Sequence, residues 1–221
     1  MKIPMAAVLA AALSLLPGCG NQNASREQAE EPPTTTAVPE AGIHTIIVTG
    51  DLDALRQHIR AGTDLDEMEP SRASTPLITA AFVGNADAAR LLIDAGANID
   101  YQNDDGSTAL HTAAVFGKTD VAELLISAGA KLDVPNKEGA TPLHTAAFFG
   151  QTEIVKALLD KGADKSIKNG MGKTAYETVQ APFEEVKPLY DAVGAGLAPM
   201  GLRLDYERIA AARPQIAELL K

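Results

Sequence analysis

The sequence has no tryptophan, one cysteine and only 4% aromatic residues. A single cysteine excludes an internal disulfide framework. With so few large rings, any core has to be filled by small and aliphatic side chains at close backbone spacing, which favours helices. Basic residues are also scarce, 19 Lys and Arg against 29 Asp and Glu, for a net charge of −10 and an isoelectric point near 4.8. That balance argues against nucleic acid, whose binding is driven by clustered cations that release counterions, and leaves a basic or uncharged partner as the easier expectation. The longest apolar run, Met5 to Leu16 with only Ser14 polar, is too short to span a bilayer. What the chain does have is 46% hydrophobic residues over 221 positions, enough for a folded core.

Lys2 followed by that apolar run matches a secretory leader over residues 1–18. It ends in Leu16-Pro17-Gly18-Cys19, which resembles the lipobox of bacterial lipoproteins, although Pro17 departs from the small residue usual there. The resemblance implies a lipid on Cys19, and Gly20 in place of the aspartate of inner-membrane retention implies the outer membrane, facing the periplasm. Cleavage by ordinary signal peptidase, with Cys19 incidental, is the alternative. Residues 19–40 form a tether: beyond the cysteine there is almost nothing apolar to bury, and ~21 flexible residues reach on the order of 25 Å.

The strongest signal is self-similarity. Thr75, Thr108, Thr141 and Thr174 are each 33 residues apart, as are Gly84, Gly117 and Gly150, and again Gly96, Gly129 and Gly162. The units TPLITAAFVGNADAARLLIDAGANIDYQNDDGS, TALHTAAVFGKTDVAELLISAGAKLDVPNKEGA and TPLHTAAFFGQTEIVKALLDKGADKSIKNGMGK resemble ankyrin repeats. The expected fold is therefore all-α: an ankyrin solenoid of helix-turn-helix units joined by loop fingers, with four repeats over 41–173 (41–74, 75–107, 108–140 and 141–173) and a degenerate capping segment over 174–221.

Each position has a physical job. The threonines cap a first helix, and Pro76 and Pro142 follow at the position where no N–H is needed. Gly84, Gly117 and Gly150 end that helix in a left-handed residue. The paired alanines 80–81, 113–114 and 146–147 keep it thin for stacking. A second helix carries a buried stripe such as Val121, Leu124 and Leu125. The first unit conflicts with its neighbours: Ile43 to Val48 reads as a strand on propensity, yet register with the later units predicts a short helix. After Thr174 the pattern decays. Pro182 and Pro188 interrupt it, and residues 202–221 are expected to form one further half-repeat, with Asp205 capping a helix through Ile209 and Pro214 opening a last one with Ile216, Leu219 and Leu220.

Catalytic and metal chemistry find little support. No G-x-S-x-G elbow or cysteine nucleophile is left, and the repeat glycines fall at helix ends, not in a phosphate cradle. His44, His111 and His144 share one unit position, but units about 10 Å apart cannot share zinc through bonds of about 2.0 Å. The family resemblance implies that these histidines hydrogen-bond locally and bridge to the next unit. His58 is expected to be solvated, as are acidic runs such as Asp64, Asp66, Glu67 and Glu69. No cofactor, metal or enzymatic activity is expected.

What remains is surface. The resemblance implies that the residues just before each first-helix glycine, and the finger tips, face a concave groove. Here those are Phe82-Val83, Val115-Phe116 and Phe148-Phe149, preceded by Val48-Thr49, with Tyr101 at a finger tip. Consecutive apolar residues there suggest a hydrophobic strip; the alternative is that one member of each pair packs between units. Counting Lys and Arg against Asp and Glu gives −3, −4, −1 and +2 for the four repeats, a gradient able to orient a docking partner. The expectation is a lipid-anchored, monomeric module binding another exported or envelope protein, as inhibitor, immunity-type partner or assembly factor. A small-molecule or cell-wall ligand in the same groove is the rival.

Overall fold

The computed structural model describes residues 38–221; the leader, Cys19 and the tether up to residue 37 lie outside the described residues. Among the described residues there are eleven α-helices and no strand: α1 (Ile43–Thr49), α2 (Leu52–Arg60), α3 (Pro76–Val83), α4 (Ala86–Asp94), α5 (Ala109–Phe116), α6 (Thr119–Ser127), α7 (Pro142–Phe148), α8 (Thr152–Asp160), α9 (Ala175–Gln180), α10 (Phe183–Leu197) and α11 (Tyr206–Leu220). A single 3-10 turn, Ala198–Met200, follows α10. Two parallel rows result. Helices α1, α3, α5, α7 and α9 stack side by side as the inner row, and α2, α4, α6, α8 and α11 as the outer row.

Local chemistry sets the inner row. The Thr75 hydroxyl accepts from the Ile78 N–H at 3.4 Å and the Thr108 hydroxyl from the His111 N–H at 3.4 Å, each satisfying one of the donors a helix start leaves free. Helices α3 and α5 then stop at Gly84 and Gly117, both left-handed at φ 83° and 63°. Ala80, Ala81, Ala113, Ala114, Ala146 and Ala147 are fully buried; with only a methyl to accommodate, neighbouring helices approach at backbone-limited distance. In the first unit α1 forms despite its β-branched run, because Ile43, Ile46 and Ile47 are buried in the shared core, and tertiary burial outweighs a propensity difference of a few tenths of a kcal/mol per residue.

The histidines tie units together. His111 Nδ1 accepts from the Thr108 N–H at 3.2 Å while its Nε2 donates to the Ala140 carbonyl at 3.0 Å; His144 repeats this with Thr141 and the Lys173 carbonyl. Burial pushes His111 down to about 4 and lowers His144 as well, since the charged ring would lose solvent. His44, with Ala41 where a threonine would be, turns its Nδ1 to the Thr79 hydroxyl of the next unit at 2.8 Å. His58 is not solvated: it is buried, donating to the Ala41 carbonyl at 3.0 Å and meeting the Thr63 hydroxyl at 3.1 Å, so it pins the entry of the chain to α2. Asp66 is not merely a solvated turn residue either. Asp66, Asp100 and Asp133 accept from the backbone N–H of Asn98, Lys131 and Asp164 at 2.8–2.9 Å, a ladder linking successive fingers.

The C-terminal region departs from expectation. Pro188 and Pro214 do not break helices; each lies inside one, on an exposed position, where tertiary packing outweighs a lost backbone bond. Asp205 does cap, accepting from the Arg208 N–H at 3.0 Å, but the helix it starts runs unbroken to Leu220. Helix α11 buries Ala212, Arg213 and Ile216, the same i, i+1, i+4 pattern as Ile154, Val155 and Leu158 in α8. It packs on α8 and α9. Thus α9 and α11 are the two helices of a fifth repeat, and the segment 181–204 between them, carrying α10, is an insertion. In repeats 1–4 the paired helices are separated by only two or three residues.

Candidate functional site

The inserted segment is held at its base by an aromatic cluster. Tyr190 is fully buried and stacks on Phe148 with ring centroids 4.3 Å apart and planes 16° from parallel. Phe149 meets Phe148 edge-on at 5.1 Å, and Phe183 lies 5.4 Å from Tyr190. The Tyr190 hydroxyl donates to the Phe148 carbonyl at 2.7 Å. Arg213, 3% exposed, donates to the Tyr190 hydroxyl at 2.9 Å and to the carbonyls of Ala181 at 2.7 Å and Thr178 at 3.3 Å. A buried guanidinium is costly unless hydrogen-bonded; here three oxygens meet it. Arg208 supplies the matching tie on the other side of the cluster, donating to the carbonyls of Phe149 and Gly150.

From this base α10 runs on with Tyr190 as its one buried residue. Fifteen residues span about 22 Å at 1.5 Å per residue, roughly two repeats at about 10 Å each. Its end and the 3-10 turn bring Leu197 and Met200 to a pocket of ≈ 450 Å³ on the inner-row side of repeats 1–3. Val48, Ile78, Phe82, Val115 and Phe116 supply its apolar floor, and Glu69, Arg72, Asn103 and Asp105 its polar edge on the finger side. Phe82 and Phe116 meet edge-on with centroids 4.7 Å apart, both half-buried, while Val48 is 59% exposed. Glu69 is held below the usual carboxylate range, first by the Ser71 hydroxyl, then by the backbone N–H groups of Ser71 and Arg72. The Arg72 guanidinium lies 3.7 Å from the Asp105 carboxylate, with both side chains largely exposed, so this pair contributes little stability.

The residues singled out from sequence therefore separate. Phe82, Val115 and Phe116 come together in the pocket. Val83 packs against the core instead, as does Tyr101, whose hydroxyl lies 2.6 Å from the Met68 sulfur. Phe148 sits under Tyr190, and Phe149, 6% exposed, is not a surface residue at all. Its expected place on an open concave strip is corrected: its ring meets Phe148 edge-on, its carbonyl accepts from Arg208 of α11, and Gly150 beside it lies against Ile209 of the same helix. Thr75, Thr108, Thr141, His111, His144, Gly84, Gly117 and Gly150 are structural positions within and between units. Leu197, Met200, Tyr190 and Arg213 escaped the sequence reading. For Tyr190 and Leu197 the one signal was the seven-residue spacing of Phe183, Tyr190 and Leu197, which puts them on one side of a helix that contains Pro188; Met200 and Arg213 had none. No group of three or more metal-ligating side chains is found among the described residues.

A family model for ankyrin repeats matches residues 43–136 and 96–169, together more than half of the chain. Over 56 residues the chain is 38% identical to the human DNA-binding protein RFXANK, a match that covers 25% of this chain and 22% of that protein.

Proposed function

This chain belongs to the ankyrin repeat family, whose repeats are protein–protein interaction modules and typically non-enzymatic, and from that premise we propose that it is a lipid-anchored adaptor of the bacterial envelope. It would hold another exported protein on the inner-row side of repeats 1–3, as inhibitor, immunity-type partner or assembly factor. The observation that carries the reading is the half-buried Phe82–Phe116 pair beside exposed Val48, the stretch of the inner row that the insertion leaves open. Apolar residues clustered at such positions mark interaction sites. The leader, the lipobox-like Leu16-Pro17-Gly18-Cys19 and the tether support the envelope location. A small-molecule ligand is the second reading, favoured by a pocket volume within the range of ligand sites.

Photo-crosslinking in the intact envelope tests the adaptor reading, with the crosslinker placed at Phe116 or, as control, at Glu123 on the outer row. A discrete protein adduct at Phe116 and none at Glu123 is expected. Equal adducts at both positions, or none at Phe116, would reject it. Cys19→Ala in parallel should leave an unprocessed or soluble species; unchanged membrane fractionation would remove the lipid anchor from the proposal.

A further inference from the structure

The insertion does more than cover Phe148: it supplies one wall of the pocket that remains. We propose that Leu197 and Met200, facing Phe82 and Phe116, make this pocket a socket for one aliphatic side chain of the partner, with a cationic residue beside it in the partner's sequence. The inference rests on the adaptor reading and names the chemistry of the segment held.

Three observations point to that segment. The first is size. A space of ≈ 450 Å³ accommodates a large aliphatic side chain with its backbone and one flanking side chain. The second is polarity. Apolar side chains meet across the pocket from both directions, Ile78, Phe82 and Phe116 from the repeats and Leu197 and Met200 from the insertion, so the anchor is apolar on both faces. The third is charge. On the finger side the lining carries Glu69 and Asp105 against the one cation Arg72, which is drawn to Asp105. Around it lie the exposed Asp64, Glu67 and Asp104, in the two repeats whose net charges are −3 and −4. The hydrogen bonds from Ser71 and Arg72 keep Glu69 ionised. A partner cation next to the anchor meets this edge, and a partner carboxylate is repelled by it.

The arrangement also assigns a role to the insertion. A groove formed by repeats alone is continuous and reads a partner along its length. With a wall across it, the groove reads one residue and its neighbour. Leu197 and Met200 are thereby specificity-determining residues, placed there by the Tyr190–Phe148 stack and the Arg213 bonds at the base.

Methionine methyl groups report on this directly. Met200 lines the pocket, whereas Met171 is 69% exposed on the finger of repeat 4. The full chain, labelled with carbon-13 at methionine methyls, is titrated with two hexapeptides: a leucine followed by two lysines, and the same peptide with two glutamates. The Met200 resonance should shift saturably with the lysine peptide at a concentration at least tenfold lower than with the glutamate peptide, while Met171 stays put. Asp105→Lys should abolish or invert that preference. Asp120→Lys, the same charge change on the outer row, should leave it intact, which separates the pocket edge from the overall charge of −10. Equal response to both peptides, a silent Met200, or an Asp120→Lys effect as large as that of Asp105→Lys would overturn the proposal. A protein adduct at Phe116 with a silent Met200 would reject the socket and leave the adaptor; a responsive Met200 without any adduct would do the reverse.

Discussion

Arg213 donates to the Tyr190 hydroxyl at 2.9 Å, and that hydroxyl in turn donates to the carbonyl of Phe148 at 2.7 Å, so an outer-row helix, the insertion and an inner-row helix meet in one chain of hydrogen bonds. Burial raises the Tyr190 hydroxyl while the Arg213 charge opposes that rise, which keeps it a neutral donor. Tyr190→Phe keeps the stack on Phe148 but leaves a buried carbonyl and one guanidinium N–H without their partner. The expected loss is about 1–3 kcal/mol, read as a lower Tm with helicity retained. Proteolysis should become faster within 181–204 before any other segment. A variant as stable and as protease-resistant as the parent would show that the hydroxyl does not anchor the insertion.

Acid should weaken the array through His111. Its folded value of about 4 lies below the ordinary 6.5, so the unfolded chain binds the proton first. Stability from this group is therefore complete above about pH 6.5 and is lost as pH falls toward 4, up to roughly 3 kcal/mol if the whole shift is expressed. His144, also lowered, adds in the same direction. Protonation places a hydrogen on Nδ1, which in the folded ring accepts from the Thr108 N–H. Urea unfolding between pH 7.5 and 4.5 should show this slope, and His111→Gln should flatten it. A slope unchanged in that variant would move the acid sensitivity elsewhere.

The repeats were legible because each carries the same local demands at fixed positions. Thr108 has to cap, Gly117 has to turn left-handed and Ala113-Ala114 have to stay thin, and these demands recur at 33 residues whatever the tertiary context. His58 was not legible, since its partners at Ala41 and Thr63 come together only after α1 and α2 pack. The insertion was illegible for a related reason. Pro182, Pro188 and Pro214 are breaker signals, and the contacts that override them, Tyr190 on Phe148 and Arg213 on Ala181, join residues 32 to 42 positions apart. Once 181–204 had displaced the register, the fifth repeat's second helix no longer fell where the spacing placed it. Phe149 was misplaced because Arg208 and Ile209 of α11 come against Phe149 and Gly150 only in the folded chain.

Finger stacking should be sensitive to a single methyl. Gly139 has φ 70°, and a Cβ there would lie 2.7 Å from the Gly170 nitrogen, which donates to the Glu138 carbonyl at 2.8 Å. Gly172 has nearly the same backbone angle, 72°, but open space around it. Alanine at 172 should therefore cost only the left-handed penalty of about 1–2 kcal/mol, whereas Gly139→Ala should cost about 2–4 kcal/mol because backbone must also shift. Chemical denaturation of the two variants separates the effects, and equal losses would mean the fingers yield without resistance.

Excising the insertion should leave a folded solenoid, which follows from reading α9 and α11 as one repeat. If residues 182–204 are replaced by a four-residue Gly-Ser linker, α11 can still lay Ala212, Ile216 and Leu220 against α8 and α9. Stability in a repeat array is roughly the sum of unit and neighbour contributions, and the fifth unit's interface with the fourth survives in that variant. What is lost is the Tyr190 ring on Phe148 and the hydroxyl that Arg213 donates to, so the melting temperature should fall by several degrees while unfolding stays cooperative. Truncation after residue 204 removes α11 instead and exposes the buried faces of α8 and α9, including Val155, Leu158 and Val179; that protein should aggregate. Circular dichroism and size-exclusion chromatography on both variants decide the matter. If the excised protein aggregates as the truncated one does, α10 is part of the fold's necessary core and not an insertion into a complete fifth repeat.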